Sequence, residues 1–241
     1  SSQVVFSDDM ITPLASVLVN RLTGSRTIIT RKMQTPPSLT YEQKLKLDDL
    51  AERLIASEEP VTILIDGHEA EISEYLIKKL PNARVVMDGG SLRASNIKLA
   101  AWTDYFVVSE HFARDYMSYR SLSTEAEIKA ALIELNKICR GEAFITLGEK
   151  GCAFLKSGML QIVPSWLCNA VDTTGAGDVF HGAFTYGVHY SWHIDNIILF
   201  ASLTAAISIE KKGVRESMPD LAVVHHSLNS YERNLTQYFE E

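Results

Sequence analysis

The sequence predicts an α/β protein. Apolar runs alternate with segments of helical spacing, those runs are continuous instead of alternating with polar residues, and 46% hydrophobic against 22% charged positions over 241 residues supply a sizeable core. Continuous apolar strands joined by helical crossovers imply a mostly parallel central sheet flanked by helices on both faces. Ahead of that pattern, Ser16 to Asn20 and Arg26 to Thr30 are β-rich runs joined by Arg21-Leu22-Thr23-Gly24-Ser25, a connection of hairpin length. After Pro36-Pro37, Tyr41 to Ser57 places Leu45, Leu47, Leu50, Leu54 and Ile55 near helical spacing, and Val61 to Ile65 reads as a strand. The cycle repeats with helix Glu71 to Leu80, strand Ala83 to Met87, helix Ser91 to Ala101 and strand Tyr105 to Val108. Helix Thr124 to Cys139 and strand Ala143 to Leu147 follow, then antiparallel strands Cys152 to Lys156 and Leu160 to Val163 around Ser157-Gly158. From Gly175 onward the pattern is helical, in three segments divided near Trp192-His193 and around Gly213 to Pro219.

With 23 basic against 30 acidic residues, the formal net charge of -7 offers no positive excess for a nucleic-acid backbone or an anionic membrane. A small-molecule or protein partner is expected instead. Cys139, Cys152 and Cys168 are odd in number and lack C-x-x-C spacing, which suggests small buried side chains in a reducing cytosol and neither a disulfide framework nor a thiolate zinc site. No apolar run is long enough for a bilayer span, and the expected location is cytoplasmic.

The stretch richest in chemistry is Asp172-Thr173-Thr174-Gly175-Ala176-Gly177-Asp178, which reads as a glycine-rich turn opening a helix. Such a turn leaves backbone amides without intrahelical partners at the positive end of the helix dipole, where an anion binds well. A carboxylate beside that cradle, Asp178, can accept a proton from an attacking hydroxyl while the amides stabilise a transferring phosphoryl group. A dinucleotide-binding G-x-G-x-x-G is excluded by Phe180 at the third glycine position, and no P-loop pattern is present. The competing structural reading is a glycine-rich helix start capped by Asp or Thr.

Together with Gly182-Ala183, this heptad closely resembles the carboxy-terminal signature of the ribokinase-like (PfkB) carbohydrate kinases. The resemblance implies an ATP-dependent transfer to a sugar hydroxyl, with Asp178 as catalytic base and the amides of Gly175, Ala176 and Gly177 as anion hole. It also implies that Asp172 and Thr174 help form a monovalent-cation site, for example for K+. Upstream, Thr146-Leu147-Gly148-Glu149-Lys150-Gly151 resembles the family's T-x-G-x-x-G nucleotide loop, which places Thr146, Gly148 and Gly151 against ATP. Glycines there let backbone approach ribose and phosphate, and a threonine hydroxyl can donate to a phosphate oxygen. Phe200 to Ala206 resembles the small-residue helix beside the adenine, through Ala201 and Ala205. Ile65-Asp66-Gly67-His68 and Asp88-Gly89-Gly90-Ser91 resemble family strand ends facing the ligand crevice.

The resemblance departs at Ser109-Glu110-His111-Phe112, where many members carry N-x-x-E around Mg2+; two alternatives stay open, a water-mediated contact from Glu110 or a metal held mainly by ATP phosphates and water. The hairpin resembles the family's lid strands, which normally follow a segment carrying most sugar-binding residues. Residues 1–241 are therefore expected to form a single ribokinase-like domain, amino-terminally incomplete, with 11–34 as a small β lid. The lid's alternating Val17, Val19, Ile28 and Arg31 would suit either a homodimer surface or a cover over substrate. Two rival functions stay open: a nucleoside kinase of the same fold, and a non-catalytic, kinase-derived interaction protein.

Overall fold

Strands β1 (Ala15–Val19) and β2 (Arg26–Thr30) pair antiparallel, with Ala15 opposite Thr30 and Val19 opposite Arg26, as the hairpin reading expects. The computed structural model describes residues 15–19, 26–30 and 38–228; the turn between the two strands and Arg31 lie outside them.

Helix α1 (Tyr41–Ala56) opens on Thr40, whose hydroxyl accepts from the Gln43 amide while the Gln43 side chain accepts from the Thr40 amide. This reciprocal cap satisfies two backbone donors that a helix start leaves unpaired. The chain continues through β3 (Thr62–Ile65), α2 (Ala70–Lys79), β4 (Arg84–Gly89), α3 (Ala94–Ala100), β5 (Tyr105–Ser109) and α4 (Glu110–Tyr116). Then come α5 (Glu125–Ile138), β6 (Glu142–Thr146), one 3-10 turn at Gly148–Lys150, β7 (Cys152–Lys156), β8 (Met159–Val163), α6 (Ala176–His189) and α7 (Ile194–Ser208). A last helical segment occupies 221–228.

Two elements differ from expectation. Helix α3 starts at Ala94 instead of Ser91, because Arg93 is extended (φ -135°, ψ 151°) and supplies no side-chain cap. Helix α4 was not expected: the Ser109 hydroxyl accepts from the Phe112 amide at 3.0 Å, and the helix it starts buries Phe112 and Ala113.

The main sheet has the order β3-β4-β5-β6-β7-β8, with β3 to β6 parallel and the last two pairings antiparallel. Strand alternation sends Val85, Met87, Phe106, Val108, Ala143 and Ile145 to one face, where Ile77, Leu99, Phe112, Leu132 and Leu135 of α2 to α5 cover them. Val86, Val107, Phe144 and Phe154 point to the other face and meet Phe180, Phe184, Ile197 and Ile198 of α6 and α7. Because both faces are buried, the strands carry apolar residues at consecutive positions, the signal read from the sequence. Among the described residues, no helix is long and apolar enough to cross a membrane.

Candidate active site

The carboxyl ends of β3, β4, β5 and β6 present Asp66, Asp88, Ser109 and Thr146 along one edge of the sheet, the position where open parallel sheets form their ligand crevice. Helix α6 begins at the same edge. Gly175, its N-cap, is left-handed (φ 76°), and a Cβ there would meet Val214 Cγ1 at 2.6 Å. The cap has no side chain, so nothing of its own satisfies the first amides of the helix. Ala176 donates to the Thr173 carbonyl at 3.3 Å, so of the expected anion-hole amides of Gly175, Ala176 and Gly177 that one already has a partner; the amide of Asp178, which was expected only as the base, is open next to that of Gly177. A Cβ on Gly177 would meet nothing within 4 Å, and Gly177 and Asp178 are both exposed. The exposed Asp178 carboxylate thus stands beside open helix-start amides.

The loop before α6 is braced by Asp172, whose carboxylate accepts from the Thr174 amide at 3.0 Å and the Gly213 amide at 3.4 Å. The Val171 and Asp172 amides both donate to the Ile209 carbonyl, at 2.7 and 3.1 Å. Thr174 Oγ1 is buried with no hydrogen-bond partner among the described residues. An orphaned hydroxyl oxygen next to the loop carboxylate fits a monovalent cation.

The nucleotide-loop residues divide. Thr146 Oγ1 donates to the Val108 carbonyl at 3.3 Å, which places the hydroxyl at the end of β6 on the crevice edge. A Cβ on Gly148 would meet open space, consistent with a ligand's close approach. Gly151 is left-handed (φ 104°) and a Cβ there would lie 2.0 Å from the Val163 carbonyl, so packing against the end of β8 already requires this glycine. Ala201 is fully buried in the core under α6, whereas Ala205 is half-buried. Glu110 stands at the first position of α4, immediately after β5, on the crevice edge.

Two residues that the sequence reading passed over complete the site. Asn96, fully buried, donates to the Asp66 carbonyl at 3.1 Å beneath the Asp66-Gly67 turn. His181, 3% exposed on α6, sets Nδ1 2.6 Å from the Gly177 carbonyl and 3.3 Å from Asp88 Oδ2, with Nε2 3.1 Å from the Val107 carbonyl. Burial pushes the Asp88 carboxyl above its usual range; the His181 ring opposes that shift, and the charges of Asp178 and Asp66 add to it. The charges of Asp178 and Asp66 therefore both reach Asp88 at the mouth of the crevice. The spacing of His181, three residues after Asp178 on one helix face, was the available signal.

The doubly covered sheet, with an open helix start and a carboxylate at its strand ends, defines the class: an α/β protein of the parallel-sheet kind. The chain belongs to the pfkB family carbohydrate kinases, whose family description matches residues 77–221. The ribokinase of Lactococcus lactis is 29% identical over 189 residues, 78% of this chain and 60% of that protein, so the chain spans about three fifths of that relative's length. The ribokinase structure from Giardia lamblia superposes with a TM-score of 0.72 at 21% identity, covering 91% of this chain and 72% of its own. The Arabidopsis thaliana ribokinase complexed with ribose and ATP gives 0.68 at 21% identity, covering 89% and 68%. Both share the ribokinase-like fold with this chain.

Proposed function

We propose that this chain carries the phosphoryl-transfer end of an ATP-dependent sugar kinase. The observation that carries the reading is the exposed Asp178 carboxylate beside the open Gly177 and Asp178 amides. ATP lies along Thr146 to Gly151 and the start of α6, and a sugar hydroxyl points at Asp178. Asp178 takes the hydroxyl proton as the sugar oxygen bonds to the γ-phosphorus and the bond to the ADP oxygen breaks; the helix-start amides stabilise the charge on the transferring group. Mg2+ would neutralise polyphosphate charge, with Glu110 positioned for a contact through water, and Asp172 with Thr174 would hold a monovalent cation such as K+ that fixes the loop before α6.

A pentose is the first sugar to test, because the Lactococcus relative is a ribokinase and the Arabidopsis neighbour was solved with ribose and ATP. The reading also takes 1–241 as one kinase domain with 11–34 as a substrate lid or dimer surface. The free thiols of Cys139, Cys152 and Cys168 favour a cytosolic setting. Asp178→Asn in the full-length protein should lower kcat by about 10²- to 10⁴-fold while calorimetric ATP affinity is retained, and Gly177→Asp should abolish ATP binding. Full turnover by Asp178→Asn would place the base elsewhere, and tight ATP binding by Gly177→Asp would move the nucleotide away from α6.

A further inference from the structure

His181 touches none of the groups that react, yet each ring nitrogen faces an acceptor that offers only lone pairs. Nδ1 points at the Gly177 carbonyl (2.6 Å) and the Asp88 carboxylate (3.3 Å), and Nε2 points at the Val107 carbonyl (3.1 Å). A ring with one proton would set a bare nitrogen lone pair against a carbonyl oxygen in a site only 3% exposed. Flipping the ring would put carbon atoms against both carbonyls and lose both bonds. We propose that His181 is a positioning residue, protonated on both ring nitrogens, that pins the first turn of α6 to the ends of β4 and β5 and offsets the negative charge of Asp88.

The arrangement joins three elements at one point. The Gly177 carbonyl belongs to the turn whose amides form the anion cradle, Val107 lies in β5, and Asp88 lies in β4. Charged groups facing this point are Asp88 from β4, Asp66 from the turn after β3 and Asp178 from α6 itself, all acidic. Without a cation among them, an incoming polyphosphate would meet uncompensated carboxylates, and the helix start would lose its tie to the sheet.

Ring protonation can be read in this chain independently of activity, by nitrogen-detected NMR of isotope-labelled histidine near neutral pH. Protons on both His181 nitrogens are expected; a single neutral tautomer overturns the proposal. The catalytic half rests on Asp178 as base. In the full-length protein, His181→Phe, which keeps the ring volume and removes both donors, should lower kcat by about 10²-fold through misplacement of the cradle, with partial recovery in His181→Asn. If Asp178→Asn stays active, the base assignment fails and the ring result still stands. If Asp178→Asn is inactive while a folded His181→Phe retains wild-type kcat, the positioning role is wrong.

Discussion

Gly177 sits in the first turn of α6 with no steric reason to be glycine, since a Cβ there would meet nothing within 4 Å. Glycine in a helix is less stable than alanine, so Gly177→Ala should stabilise the fold by up to about 1 kcal/mol in urea unfolding, and so should Gly182→Ala, which faces the same openness. Only the first should weaken ATP binding, because only Gly177 faces the cradle. Equal, unchanged affinities in both variants would mean that no ligand approaches Gly177. Gly175→Ala should behave oppositely and cost about 1–2 kcal/mol, because its positive φ and the Val214 contact at 2.6 Å exclude a side chain. Residues of this kind were legible in the sequence because a glycine cluster before an aspartate already marks a helix start. His181 was legible only as a side chain on the Asp178 face of the helix; its partner the Val107 carbonyl lies 74 positions away and is a backbone atom, which side-chain patterns do not reveal.

Elements were legible wherever their own residues determined them. Thr124 and Glu127 form a reciprocal cap at α5, with the hydroxyl accepting from the Glu127 amide at 3.2 Å and the carboxylate from the Thr124 amide at 2.9 Å, so the expected start at Thr124 falls within one residue of the observed helix. The short α4 is not legible in the sequence although Ser109 is a sound cap, because its seven residues give too little periodicity to separate it from a loop. Caps and core contacts should differ in weight. Thr124→Ala should cost about 1 kcal/mol of stability, whereas Leu132→Ala, which empties a fully buried site between α5 and the sheet, should cost about 2–5 kcal/mol. Denaturant midpoints compare the two directly, and comparable losses would mean that α5 is held by its end more than by its buried face.

Across the described residues, the carboxylates displaced from their usual range fall into two groups with opposite effects on acid stability. Glu127 is held below its usual range by the Thr124 and Ser123 amides, Glu74 by Lys78 and Lys98, and Asp48 by Lys79 and Tyr75. A depressed carboxylate stabilises the fold above its ordinary pKa, and that contribution is lost as pH falls through the depressed value. Asp88, raised chiefly by burial, works the other way: the fold is favoured while it is protonated, and that advantage is lost as pH rises through its raised value. The depressed groups are spread over α1, α2 and α5 and outnumber the raised one, so the urea midpoint should fall between about pH 7 and about pH 3. Glu127→Gln should shallow that fall. Asp88→Asn should match the wild type in acid and gain on it as pH rises, because only the wild type then carries a buried charge at the strand ends. A variant that loses ground on the wild type with rising pH would mean that the ion pair with His181 outweighs the burial of Asp88.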